Sequence, residues 1–213
     1  MKPRTSRLQA VKPMSNPMVG EERLEVSLVR AAFPDGVVKI KEDRGDTFIC
    51  VKREALIGVI EFIKNDPRLD YSYFSECVGA DYSTWPHERD FSERFEVIYN
   101  LMSLKHYSRI FVKVGVDDGQ KIPTLMHVFL GAEYPEREIA DMYGIVFDGN
   151  ERSGRFLLPD DWVGYPLRKE YPLGGEDVWF AQGDRGPAVE DVSMPHAGES
   201  FEGKTGSDPV SGR

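Results

Sequence analysis

Four carboxylates and an arginine between residues 133 and 141 are the side chains of this sequence best placed to do chemistry. Glu138 and Asp141 are three residues apart, on neighbouring parts of one predicted helix face, and such a pair could hold a metal ion or act as acid and base. However, the nearest histidine is His127, and no Glu-x-x-His or His-x-x-His spacing is present. We therefore interpret this region as a solvated or salt-bridged helix face, with Arg137 as a counter-charge.

A second candidate chemistry is nucleotide binding near the carboxyl end of the sequence. GESFEGKT, residues 198–205, matches the P-loop pattern G-x-x-x-x-G-K-[ST], in which Lys204 would bind phosphate. A P-loop works only between a strand and a helix, but here Pro195 stands upstream in place of a strand. Two acids, Glu199 and Glu202, fall inside the would-be phosphate cradle. We interpret the match as accidental.

A third region, PDDWVGYPLRKEYPL at residues 159–173, combines three prolines, three aromatics, three acids and two bases. It holds no Ser, Cys or His, so it lacks the usual catalytic nucleophiles and the commonest general base. Prolines stiffen the chain, and aromatic residues and arginine are the types that anchor protein interfaces. The stretch therefore predicts a strip that docks on a partner rather than a catalytic loop.

The totals exclude several classes of protein. A formal net charge of −9 argues against nucleic acid as a partner, because nucleic-acid binding needs a basic face. No apolar run approaches the roughly 18 residues that span a bilayer. Cys50 and Cys77 form no CxxC pair and are too few for the four ligands of an iron–sulfur cluster, so we expect free thiols in a reducing compartment.

The elements that must position these residues follow from periodicity and turn signals. Helices are predicted at Glu21–Phe33, Arg53–Lys64 and Tyr134–Gly144, and strands at Val37–Lys41, Thr47–Val51, Tyr71–Val78, Phe95–Leu104 and Ile110–Val116. Strands mostly follow strands, which favours an α+β fold, with a mixed or antiparallel sheet flanked by helices and an extended C-terminal segment.

Four regions are expected along the 213 residues. Residues 1–20 are basic, free of acids and interrupted by prolines, which predicts a flexible leader rather than a targeting helix. Residues 21–148 form the predicted α+β core domain, and residues 149–173 the docking segment. Residues 174–213 are rich in Gly, Pro, Ser and acid, which predicts a largely extended or disordered tail.

EREIADMYGIVFDG, followed closely by LLPDDWVGYPLRKEYPL, resembles the signature of the 30-kDa subunit family of respiratory complex I, the proton-pumping NADH:quinone oxidoreductase, in which bacteria name it the C subunit. Residues 79–82 and 95–101 resemble the same family, and the resemblance covers roughly residues 22–173. Two features depart from the family pattern. Residues 149–155, GNERSGR, keep only part of a basic segment, and Tyr134 stands where a tryptophan is usual.

The resemblance implies a non-catalytic subunit of the peripheral arm, on the cytoplasmic side of the bacterial inner membrane. Such a subunit supports assembly and the transfer of electrons from NADH to quinone, coupled to proton translocation. It packs against other peripheral-arm subunits, especially the quinone-cavity (49-kDa-type) subunit, and meets the membrane only through the complex. The family binds no cofactor in this chain, so FMN, iron–sulfur clusters and quinone are expected in partner subunits.

Twelve residues are the expected docking residues: Glu136, Arg137, Glu138, Asp141, Arg155, Asp160, Asp161, Trp162, Tyr165, Arg168, Lys169 and Tyr171. Three alternatives remain open at this point. The chain could be the equivalent subunit of a membrane-bound hydrogenase or of a quinone oxidoreductase with another donor. It could also be a stand-alone acidic enzyme using the helix around residues 136–141, or a nucleotide-binding protein that uses Lys204.

Overall fold

The described chain, residues 23–150 and 154–171 of this computed structural model, contains three α-helices and seven strands. The helices are α1 (Leu24–Ala32), α2 (Leu56–Asn65) and α3 (Glu133–Tyr143); the strands are β1 (Val37–Asp43), β2 (Asp46–Val51), β3 (Tyr73–Asp81), β4 (Phe95–Ser103), β5 (Ser108–Val116), β6 (Lys121–Pro123) and β7 (Val146–Asp148). Short 3-10 turns, Arg53–Ala55 and Leu130–Ala132, precede α2 and α3. The predicted leader, residues 1–20, and tail, residues 174–213, lie outside the described residues.

Five strands form one sheet in the order β1-β2-β5-β4-β3. Neighbours in this sheet are antiparallel except β2 and β5, which run parallel. The prediction of an α+β fold with a mixed sheet and flanking helices is confirmed. The parallel pair depends on the connection through α2, since parallel strands need a long crossover.

The β1–β2 hairpin is tighter than the sequence predicts. A polar loop was expected over residues 42–46, but Asp43 pairs with Asp46 and leaves a two-residue turn. Its two residues, Arg44 and Gly45, have φ values of 53° and 88°. Positive φ at both positions matches the right-handed twist of the flanking strands, so the strands extend further into the polar stretch than their composition suggests.

One face of the sheet carries the apolar core. Tyr99 of β4 lies opposite Val112 of β5, and Val97 lies opposite Val114, and all four are fully buried. The predicted apolar face of α2 belongs to the same buried cluster: Leu56, Val59, Ile60 and Ile63. Each such aliphatic side chain contributes about 1.5–3 kcal/mol when it is fully buried. This core fixes the sheet register on which the site below depends.

The register brings three strand ends together at one edge of the sheet. Asp81, the last residue of β3, pairs with Phe95, the first of β4, and Phe95 pairs with Val116, the last of β5. Helix α3 packs closely against β3, because a Cβ atom on Gly79 would lie 3.0 Å from the ring of Tyr143. The carboxyl end of α3 therefore lies beside this edge.

Strands β6 and β7 pair in parallel on either side of α3 in the sequence, with Ile122 opposite Phe147. Sequence patterns do not predict them, because three residues are too few to show strand alternation. Within the described residues, no helix is long and apolar enough to cross a membrane.

Candidate partner-docking site

Helix α3 has the predicted cap at its carboxyl end and a slightly earlier start. It begins at Glu133, so Pro135 lies within the first turn, where a missing N–H is not needed for the helix. Gly144 has φ 75° in the left-handed region, and its N–H donates to the Ala140 carbonyl over 2.9 Å. The chain therefore turns sharply after the helix and passes back over it.

Glu136 of α3 is completely buried, so the interpretation of this helix face as solvated is wrong for it. Its carboxylate accepts hydrogen bonds from the Thr124 hydroxyl, the Leu125 N–H at 2.7 Å and the Asn150 amide at 3.2 Å. Burial raises the pKa of Glu136, although these three hydrogen bonds act in the opposite direction. Glu136 thus ties the loop after β6, and Asn150 beyond β7, to α3.

Asp141 organises the start of the docking segment. One carboxylate oxygen accepts the N–H groups of Phe156, Leu157 and Leu158 at 3.1, 2.8 and 2.9 Å. The other accepts Arg155 at 2.9 Å, which confirms a salt bridge on this helix face. Burial by itself would raise the pKa of Asp141, but these hydrogen bonds together lower it.

Arg155 closes a loop within the docking segment. Besides Asp141, its guanidinium donates to the carbonyls of Trp162 and Gly164, each at 3.0 Å. A planar guanidinium presents several donors in a fixed geometry, which lets one side chain join three points of the chain. Residues 155–164 are held as a loop against α3 by this one arginine.

Tyr165 lies between two arginines and the helix cap. The Arg155 and Arg168 guanidiniums lie 5.2 and 4.6 Å from the ring centroid. The ring approaches Gly144 so closely that a Cβ atom there would lie 2.6 Å from it. Glycine at position 144 therefore serves both the left-handed cap and the seating of Tyr165.

Gly144→Ala is expected to lower the free energy of unfolding by about 2–3 kcal/mol, because it combines an unfavourable φ with a clash against Tyr165. Gly119→Ala is the matched control, since Gly119 has φ 78° with nothing within 4 Å of its absent Cβ. The control is expected to cost only about 1 kcal/mol, the backbone part alone. Urea denaturation of the full chain measures both; equal losses would show that Tyr165 does not lie against residue 144.

Arg168 anchors the second half of the docking segment at the sheet edge. Its two terminal nitrogens donate to both carboxylate oxygens of Asp118 at 2.9 and 2.8 Å, and its Nε donates to the Tyr143 carbonyl at 2.7 Å. The hydrogen bond from Arg168 lowers the pKa of Asp118. The bidentate contact expected for Arg168 is therefore made with its own chain.

Asp81 forms the deepest ion pair of this edge. Its buried carboxylate accepts two hydrogen bonds from Arg94, at 3.2 and 2.7 Å, and the N–H groups of Ser83 and Lys169 at 2.9 and 3.0 Å. Burial acts to raise the pKa of Asp81, but these hydrogen bonds hold it well below its ordinary value. Arg94 also pairs with Glu170. The end of the described segment is thus tied to β3 and β4.

The remaining predicted docking residues are less constrained. Trp162 and Tyr171 are half-buried, and the Trp162 indole N–H is buried without a hydrogen-bond partner among the described residues. The Tyr171 ring lies 3.0 Å from where a Cβ atom on Gly164 would be. The exposed members of the set are Glu138, Asp160, Asp161 and Lys169.

Other chemistry finds little support in the geometry. In residues 23–150 and 154–171, no three His, Cys, Asp or Glu side chains lie close enough together to hold a metal ion. Cys50 and Cys77 are free and buried, and burial raises the pKa of Cys50 to about 11, so its thiol stays protonated at neutral pH. The P-loop match at residues 198–205 lies outside the described residues.

Residues 49–177 match the family model described as "Respiratory-chain NADH dehydrogenase, 30 Kd subunit". The match runs from β2 through α3 and the whole docking segment, more than half of the chain. The chain belongs to this 30-kDa subunit family. Its sheet edge, its capped helix and the segment folded over them all lie within the matched region.

Curated relatives agree with the membership in this 30-kDa subunit family. The C subunit of NADH-quinone oxidoreductase from Roseiflexus sp. (strain RS-1) is 42% identical over 153 residues, 71% of this chain and 84% of the relative. The protein of the same name from Geobacter metallireducens is 37% identical over 158 residues, 74% of this chain and 93% of the relative.

Two solved structures share the fold. The trypsin-resistant fragment (1–134) of Nqo5 is 30% identical with a TM-score of 0.51, over 59% of this chain and 93% of the fragment. A chain of the membrane-bound sulfane sulfur reductase (MBS), an archaeal respiratory membrane complex, gives a TM-score of 0.55 over 70% of this chain and 84% of its own length. At 22% identity, the second likeness concerns the fold alone.

The structure of this 30-kDa family member brings most of the predicted docking residues together around the carboxyl end of α3. It adds three residues that the sequence reasoning did not select: Asp81, Arg94 and Asp118. Asp81 lies in a stretch that resembles the family, and this was the available signal. Asp118 was interpreted only as part of a turn. Arg137 was expected to neutralise the α3 carboxylates, which is wrong for Asp141, because Arg155 pairs with it instead.

Proposed function

We propose that the chain is a non-catalytic subunit of the peripheral arm of an NADH–quinone oxidoreductase, which supports assembly and electron transfer to quinone coupled to proton translocation. The supporting observation is the state of its two deepest site carboxylates, Asp81 and Asp141. Every oxygen of both accepts hydrogen bonds from the chain's own arginines and N–H groups. Carboxylates occupied in this way hold structure in place and are poor proton acceptors for a substrate.

The proposed partner is the quinone-cavity (49-kDa-type) subunit, on the cytoplasmic side of the membrane. Arg155 and Arg168 serve internal contacts, so the partner would meet the residues that remain exposed on the folded segment. Trp162 and Tyr171 are half-buried aromatic residues, the type that supplies rigid contact area at low entropic cost. A segment already folded on its own chain loses little entropy on docking, which favours a stable assembly.

Two preparations test this function. The tagged chain, isolated with mild detergent from the membranes of its own cells, is expected to bring cluster-bearing subunits and NADH–quinone reductase activity with it. The same chain expressed alone is expected to show no visible absorbance from flavin or iron, because the proposal places both groups in partner subunits. A lone chain with bound flavin or iron, or a membrane preparation in which it stays without partners, would overturn the proposal. Activity with a different electron donor would favour the related donor complexes instead.

A further inference from the structure

A small patch beside the amino end of α3 exposes more apolar surface than a solvated helix needs. It consists of Leu130, Tyr134, Arg137, Phe156 and Leu157, and we call it the α3 patch. Leu130 is 83% exposed, Leu157 56%, Tyr134 49% and Phe156 37%. The Tyr134 and Phe156 rings lie 5.5 Å apart. The start of α3 and the start of the docking segment thus contribute one joint surface, of a kind that marks interaction sites.

Arg137 lies within this patch, and its guanidinium contacts aromatic rings. The guanidinium lies 4.8 Å from the Phe156 ring centroid and 5.9 Å from that of Tyr134. Within the described part of the chain, its Nε is buried without a hydrogen-bond partner, and no ion pair joins it to a carboxylate. By contrast, Arg155 and Arg168 of the docking segment each hold a carboxylate of this chain.

The space beside Arg137 is open enough to admit another side chain. Arg137 borders a cavity of about 370 Å³ between α3, β7 and the docking segment. Asn150 lines the same cavity, and its side-chain oxygen is also buried without a hydrogen-bond partner among the described residues. The two α3 carboxylates that line it, Glu136 and Asp141, are already occupied by internal hydrogen bonds. Unmatched polar atoms of this kind indicate that a group from outside the chain completes the site.

We propose that a partner subunit places an aspartate or glutamate side chain against Arg137, surrounded by apolar side chains that pack on Tyr134, Phe156 and Leu157. This inference rests on the proposed function and specifies the chemistry of its partner. A guanidinium held on aromatic rings is preorganised for a carboxylate, and the pair strengthens when both groups lose water. The net charge of −9 opposes a polyanion such as nucleic acid at this site. An isolated carboxylate within an apolar protein surface fits both the charge and the exposed rings.

Two variants of Arg137 test the inference in the assembled complex. Arg137→Met keeps the long stem and removes the charge, and it is expected to lower the amount of partner subunit recovered with the tagged chain at least tenfold. Arg44→Met is the control, since Arg44 lies in the β1–β2 turn, away from the α3 patch. Circular dichroism of each isolated chain confirms that the fold is kept.

Arg137→Lys gives the direct evidence, because it places an amine where the partner's carboxylate is expected. A water-soluble carbodiimide activates a carboxylate, the amine displaces the activated oxygen as the urea, and an amide bond joins the two chains. Mass spectrometry is expected to find position 137 joined to an aspartate or glutamate of a partner subunit. If the wild-type chain assembles, but Arg137→Met assembles equally well and the amine couples to no partner, this inference fails while the proposed function stands. If the wild-type chain recovers no partner, the proposed function fails first.

Discussion

Asp141→Ala is expected to lower the free energy of unfolding by about 3 kcal/mol and to detach residues 155–164 from α3. The substitution leaves the Arg155 guanidinium without its carboxylate and three backbone N–H groups, those of residues 156–158, without an acceptor. Because Arg155 also holds the carbonyls of Trp162 and Gly164, its loss of position spreads through the loop. Urea denaturation measures the stability, and hydrogen exchange of the amides at 156–158 reports the release of the segment.

Glu138→Ala is the matched control for this change. Glu138 lies on the same helix and also carries a carboxylate, but it is exposed, so its loss is expected to change stability by less than about 0.5 kcal/mol. Asp141→Asn is expected to fall between the two, because its amide keeps one acceptor oxygen and loses the charge that pairs with Arg155. Unchanged exchange at 156–158 in Asp141→Ala would contradict the assigned role.

Asp81→Ala is expected to cost about 2–4 kcal/mol and to free the other end of the segment. The Asp81 side chain is fully buried and Arg94 is largely buried, so the change leaves a cation with only Glu170 as a carboxylate partner among the described residues. The N–H groups of Ser83 and Lys169 also lose their acceptor. Faster amide exchange at residue 169, together with the lost stability, is the expected signature. Recovery of partner subunits is expected to fall as well, since the docking surface loses its frame.

A double-mutant cycle with Arg94 separates the ion pair from other effects of Asp81→Ala. Removing both side chains leaves no unpaired buried charge, so the double variant is expected to lose clearly less stability than the sum of the two single losses. Asp160→Ala, an exposed carboxylate of the same segment, serves as the neutral reference. Additive losses for Asp81 and Arg94 would show that the two side chains act independently.

The sequence by itself determined the local structure. The α+β class, the apolar face of α2 and the glycine cap of α3 are confirmed, because each depends on residues within about four positions of one another. The family was also evident from one long stretch, since its signature is contiguous in the chain. The flexible leader, the tail and the docking role of the twelve residues stay predictions.

The tertiary structure decided which carboxylates are buried and which arginine each one holds. Asp141 and Arg155 are 14 residues apart, Arg168 and Asp118 are 50 apart, and Asp81 and the N–H of Lys169 are 88 apart. Side-chain types show that such groups need partners but not which ones they meet. That choice follows from the sheet register, which brings Asp81, Phe95 and Val116 to one edge. Register in turn is fixed by burial of the apolar face, a property of all five strands together, so the partners could not be read from any single stretch of sequence.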